Sequence, residues 1–181
     1  MIEQLYTSSV IAEHKKIAFN ILRDMNNLQV NSQAPDFTLT NIKQDSVKLS
    51  NYIINSITKG GRFVYLNFFA PWCTDCLEQF KKQEQLHKKY GDGIVFISVD
   101  IEEDTTSLKK FLKQNPKYNW IFLSAANNKE VIAKYNAKSV PVYYLVSPQG
   151  YLIQSPAWKP DEGIERKFNE ILKIKPKKVG K

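Results

Sequence analysis

The chain has 181 residues, 43% of them hydrophobic, which suits one domain of ordinary size plus an extension. Its formal charge is +8, but Lys173, Lys175, Lys177, Lys178 and Lys181 lie together in an acid-free terminal run. The basic balance is therefore largely a tail, not the aromatic-interleaved stripe that a nucleic-acid partner would need. No apolar run approaches the roughly 20 residues that span a bilayer, and no basic start with an apolar core opens the chain. Two cysteines exclude a disulfide framework.

In chain order, residues 8–30 read as an amphipathic helix, with Ser8 or Ser9 at its start. Ile11, Ile17, Ala18, Ile21, Leu22, Met25 and Leu28 share one face. Residues 1–33 are thus expected to be a helical extension, read first as a helix packed on the domain, with the end of a further upstream region as the alternative. Asn31 to Asp36 breaks the pattern. Phe37-Thr38-Leu39 and Val47-Lys48-Leu49 then alternate as two short strands around a polar turn. Ser50 can cap a short helix through Ile57, and Gly60-Gly61 turns into the next strand.

Phe63 to Phe69 is a β-branched and aromatic run that reads as a buried strand. Cys73 and Cys76 follow at a spacing of three. Leu77, Phe80, Leu86 and Tyr90 then mark the apolar face of a helix that Gly91-Asp92-Gly93 ends. Ile94 to Val99 completes a β-α-β unit with parallel strands and a right-handed crossover. Four acids between Asp100 and Asp104 precede a helix over 105–114, where negative charge is stabilising; helix capping is the reading preferred to a metal site. Trp120 to Leu123 is a strand, and Asn127 caps a helix through Lys134 that Asn136 stops. Ser139 to Val146 and Tyr151 to Ile153 form a hairpin, with Pro141 opening its first strand. Asp161 to Lys173 is the closing helix. Together these elements predict an α/β fold, a mixed central sheet with helices on both faces.

The chemistry lies in the cysteine pair. CxxC at the start of a helix in a β-α-β unit is the thioredoxin-like redox signature. With Cys73 at the cap, dithiol and disulfide can interchange with little backbone movement, Cys73 outward and Cys76 inward. Free N–H groups of the first turn favour a thiolate there, and the thiolate is the attacking species. A zinc site needs four ligands, and neither His14 nor His87 pairs with the cysteines at a zinc spacing, so no metal is expected. A purely structural disulfide would close too small a loop to constrain the unfolded chain much.

Ala34-Pro35-Asp36-Phe37-Thr38-Leu39, the block from Leu66 to Cys76, Ser139-Val140-Pro141 and Ser147-Pro148-Gln149-Gly150 together resemble the thioredoxin superfamily. The closest branch is that of the TlpA/ResA-like thiol-disulfide oxidoreductases of Bacteroidetes-type envelope proteins. The resemblance covers residues 34–174 and leaves 175–181 as a basic disordered tail. It implies a thioredoxin-like fold, with Cys73 as nucleophile and Cys76 as resolving residue. Trp72, Thr74 and Asp75 would shape the site. A cis Val140–Pro141 bond would lie against the sulfurs, with the Val140 backbone open to a substrate chain. It further implies protein disulfide substrates, a reducing partner such as a membrane thiol transporter, a periplasmic or envelope location, a monomer, and no cofactor beyond the Cys73–Cys76 disulfide.

Three departures stand out. Asp75 replaces the usual Pro before the second Cys, and its charge should disfavour the Cys73 thiolate. Asn67 stands where thioredoxins carry a buried acid, and Gln79 where the ResA-like branch carries one. Asn67 and Glu78, with Asp75, are the remaining candidates near the proton-transfer step. Two rival readings are a thiol-dependent peroxidase of the peroxiredoxin type, which shares the Ala34-Pro35-Asp36-Phe37 opening, and a non-catalytic binding module. Against the first, Ala70 stands where that chemistry usually wants a Thr.

Overall fold

A computed structural model describes residues 28–57 and 62–173. The helix expected over 8–30 falls mainly outside them, as does the tail at 175–181. Residues 28–30 are turn, not helix, so that expectation overran its C-terminal end.

The described elements are β1 (Thr38–Thr40), β2 (Ser46–Lys48), α1 (Leu49–Ile57), β3 (Phe63–Phe69), α2 (Thr74–Tyr90), β4 (Ile94–Asp100), α3 (Thr106–Gln114), β5 (Ile121–Ser124), α4 (Glu130–Lys134), β6 (Val142–Val146), β7 (Leu152–Gln154) and α5 (Ile164–Ile171). They build one seven-stranded mixed sheet in the order β2-β1-β5-β4-β3-β6-β7. The three middle strands β5, β4 and β3 are parallel, and the outer pairs run antiparallel.

Strand alternation sorts the core into two layers. Tyr65, Phe69, Ile94 and Phe96 face one side, where Phe80 of α2, Phe111 of α3 and Phe168 of α5 close over them. Val64, Leu66, Phe68, Val95, Ile97 and Val99 face the other, under Leu49 and Ile53 of α1 and Val131 of α4. Each fully buried side chain of this size is worth roughly 1.5–3 kcal/mol of transfer free energy. The layers therefore hold β3 and β4 firmly, and every residue at their C-terminal ends inherits that rigidity.

Three element boundaries differ from the sequence expectation. The α1 helix begins at Leu49, and its entry is fixed from outside: Asp36 Oδ1 accepts the N–H groups of Phe37 (2.9 Å) and Ser50 (3.0 Å). Ser50 is thus held by a distant carboxylate and does not cap the helix itself. The α4 helix starts at Glu130, not after Asn127, because residues 125–129 turn back toward β1. There Asn128 N–H meets Ala125 O, and the Asn128 side chain reaches Thr38 O. The closing helix is split. Pro160–Glu162 is a single 3-10 turn, and Gly163, at φ +90°, re-aims the chain into α5. Only glycine adopts that backbone region without steric cost.

Candidate active site

The C-terminal ends of β3 and β4 lie side by side, with Phe69 in register with Asp100. From Phe69 the chain passes through Ala70, Pro71 and Trp72 to Cys73, the N-cap of α2, in extended backbone. Cys73 N–H donates to Ala70 O (3.0 Å), and Leu77 N–H donates to Cys73 O (3.2 Å), so the cap is held on both sides. Cys73 and Cys76 form a disulfide, with Sγ atoms 2.14 Å apart and Cα atoms 5.3 Å apart. Cys73 is 6% exposed and Cys76 fully buried, so Cys73 presents the outer sulfur.

Two backbone groups face the Cys73 sulfur. Cys76 N–H donates to it at 3.2 Å. That donor belongs to the first turn of a 17-residue helix, where unpaired N–H groups favour negative charge. Val140 O lies 3.7 Å away on the other side. The Val140–Pro141 bond, in the loop before β6, is cis. A second cis bond, Ser155–Pro156, was not signalled by the sequence.

The other sequence candidates divide by position. Trp72 is 67% exposed beside the disulfide, with its indole N–H donating to Glu102 Oε1 at 2.5 Å. Thr74 and Asp75 lie exposed in the first turn of α2. Val140 and Pro141 are half-buried. Glu78 is exposed on α2. Asn67 is fully buried one layer below: its Oδ1 accepts Ser98 Oγ–H (2.6 Å) and the Gln83 side-chain amide (3.4 Å). Ser98 Oγ in turn accepts the Trp120 indole N–H (2.8 Å). A neutral network thus surrounds Asn67. Gln79 accepts the Asp161 N–H (3.2 Å), tying α2 to the turn before α5.

Asp100 is the residue that sequence reasoning undervalued. The sequence pattern places it with the acids before α3 as helix-stabilising charge. It is instead the last residue of β4, fully buried, on the same alternation as Ile94, Phe96 and Ser98. Burial pushes its carboxyl from 3.8 to about 7; the Glu102 N–H opposes this, and the nearby Glu102 and Asp104 charges add to it. Oδ1 accepts the Glu102 N–H (3.2 Å), and Oδ2 has no protein partner. Carrying the alternation of β4 one residue further would have revealed it.

A model of the AhpC/TSA family matches residues 30–155. The thiol-disulfide oxidoreductase ResA of Bacillus thuringiensis subsp. konkukian is 27% identical over 129 residues, covering 70% of this chain and 69% of that protein. The thioredoxin-like protein YneN of Bacillus subtilis is 28% identical over 125 residues, 69% of each. Among solved structures, the thioredoxin domain of a thiol-disulfide oxidoreductase from Bacteroides vulgatus superposes with a TM-score of 0.66. It shares 21% identity and covers 81% of this chain and 97% of that one. The last likeness bears on the fold alone.

Proposed function

The chain belongs to the AhpC/TSA family, and on that premise we propose that this thiol-disulfide oxidoreductase works as a reductant of protein disulfides. The observation that carries the reading is the disulfide at the N-cap of α2, with one backbone N–H aimed at the outer sulfur.

In the reduced state, Cys73 thiolate attacks one sulfur of a substrate disulfide. The substrate S–S bond breaks, its other sulfur leaves as a thiolate and takes a proton, and a mixed disulfide joins Cys73 to the substrate. Cys76, having lost its proton, then attacks Cys73 Sγ. The mixed disulfide breaks and the second substrate sulfur is released and protonated. Two electrons have moved from the cysteine pair to the substrate, and the domain is left with the Cys73–Cys76 bond seen here. The Cys76 N–H stabilises Cys73 when it is the attacking anion. Trp72 and the Val140 backbone flank the sulfur where a substrate chain would lie, with the Val140 carbonyl 3.7 Å from Cys73 Sγ.

In this reading the disulfide is the sole redox group, the protein acts as a monomer, and the domain faces the extracytoplasmic side. A dithiol partner such as a membrane thiol transporter returns the pair to its reduced form. The resemblance to ResA-like thiol-disulfide oxidoreductases supports the redox role of the pair and the extracytoplasmic placement. Among the described residues, no helix is long and apolar enough to cross a membrane.

Insulin reduction with dithiothreitol as reductant tests the mechanism. Cys73→Ser should abolish the rate above background, and full activity in that variant would overturn the reading. Cys76→Ser should accumulate covalent adducts with protein disulfides that dithiothreitol releases, as seen on non-reducing gels.

A further inference from the structure

An exposed tryptophan beside a binding site has two free torsions, and fixing them on contact costs binding free energy. In this protein that fixing is done in advance. The Trp72 indole N–H is engaged by Glu102 Oε1 at 2.5 Å, although two-thirds of the residue is open to solvent. Glu102 is itself anchored. Its backbone N–H donates to Asp100 Oδ1, and Asp100 O accepts the Ala125 N–H (2.9 Å). The next residue, Ile101, donates its N–H to Phe69 O (3.0 Å), at the strand end from which Trp72 departs. An unbroken series of hydrogen bonds therefore runs from the sheet through Asp100 and Glu102 to the indole. The remaining acids of the run are spent elsewhere. Glu103 pairs with Lys129 (2.5 Å), and Asp104 Oδ1 accepts the Thr106 N–H (2.6 Å) at the start of α3.

We propose that Glu102 is a positioning residue that holds the Trp72 indole as a preformed platform beside Cys73, and so sets the affinity for polypeptide disulfides. This rests on the reading of the site as a disulfide reductase. A tryptophan face suits a polypeptide partner, since it gives a large rigid contact that does not depend on the partner's sequence. Glu102 touches no reacting atom in this scheme. Its effect belongs in substrate binding and not in the exchange step, and it needs only an acceptor oxygen, not a charge.

The test uses the full chain in two measurements. In the first, 15N spectra of the oxidised protein report the indole N–H, with the Trp72 signal assigned by its loss in Trp72→Phe. Glu102→Ala should move that signal upfield and speed its exchange with water; Glu102→Gln, which keeps an acceptor oxygen, should hold it near the wild-type position. In the second, insulin reduction should show KM raised about fivefold in Glu102→Ala, the loss of one ordinary hydrogen bond. In that variant kcat should stay within about twofold, and Glu102→Gln should restore KM. An indole signal indifferent to Glu102→Ala, or a loss confined to kcat, would overturn the proposal. So would failure of Glu102→Gln to rescue. If the wild-type protein reduces no insulin, the reductase reading fails, and the spectra still decide whether Glu102 holds Trp72.

Discussion

Asp100 carries the clearest dependence on pH. Its carboxyl is raised to about 7 in the folded chain, chiefly by burial, and returns to an ordinary value near 3.8 on unfolding. The folded state therefore keeps a proton that the unfolded state releases between those two values. Stability from this residue is complete below about pH 4, falls as pH rises through about 7, and is level above. Asp100→Asn retains an acceptor for the Glu102 N–H and removes the ionisation. It should raise stability at pH 8 by roughly 2–4 kcal/mol and have little effect at pH 4. Urea titrations at the two pH values check this. A variant equally affected at both would mean that Asp100 does not titrate in this window. At this scale the Cys73–Cys76 pairing was legible from spacing and position, whereas the cis bond before Pro141 came only through the family resemblance. The sequence was opaque for Asp100, because an acid at a strand end and an acid before a helix look alike until the strand's last residue is known. Glu102 was hidden for another reason: its partner Trp72 is 30 residues away, across a β-α-β crossover.

Among the elements, α2 and its flanking strands followed from pattern alone, because their apolar periods are long and strong. The short pieces did not. The α4 helix has five residues, and its entry is decided by contacts with β1 that no local pattern encodes. The end of the chain shows the same limit. Ile164, Phe168 and Ile171 fix the buried face of α5, but the break before it depends on one left-handed residue. A Cβ at Gly163 would lie 3.3 Å from the Arg166 guanidinium, in a backbone region that strains any other residue. Gly163→Ala should therefore cost about 1–2 kcal/mol, read as a lower thermal midpoint. It should also loosen the turn that Gln79 holds at Asp161.

Across the whole molecule, the sheet depends on a segment that precedes its first strand. Asn31 N–H donates to Leu152 O (2.7 Å), Leu152 N–H to Ser32 O (2.9 Å) and Ala34 N–H to Gly150 O (2.8 Å), so residues 31–34 run along β7. The sequence placed a boundary near residue 33, where composition changes. The backbone crosses that point without losing contact with the sheet. A chain shortened to begin at Pro35 keeps the Asp36 hold on α1 but loses these three bonds. It should be less stable by about 2–4 kcal/mol, and the Leu152 amide should exchange with solvent far faster than in the intact chain.

That covered edge has a consequence for a protein whose substrates are polypeptide disulfides. An extended segment of a polypeptide can add to any open ladder, which is the first step of coaggregation. One flank of this sheet is occupied by residues 31–34, and the other ends in a strand of only three residues, Ser46–Lys48. A polypeptide approaching the sulfur thus meets no long open strand at either flank of the described sheet.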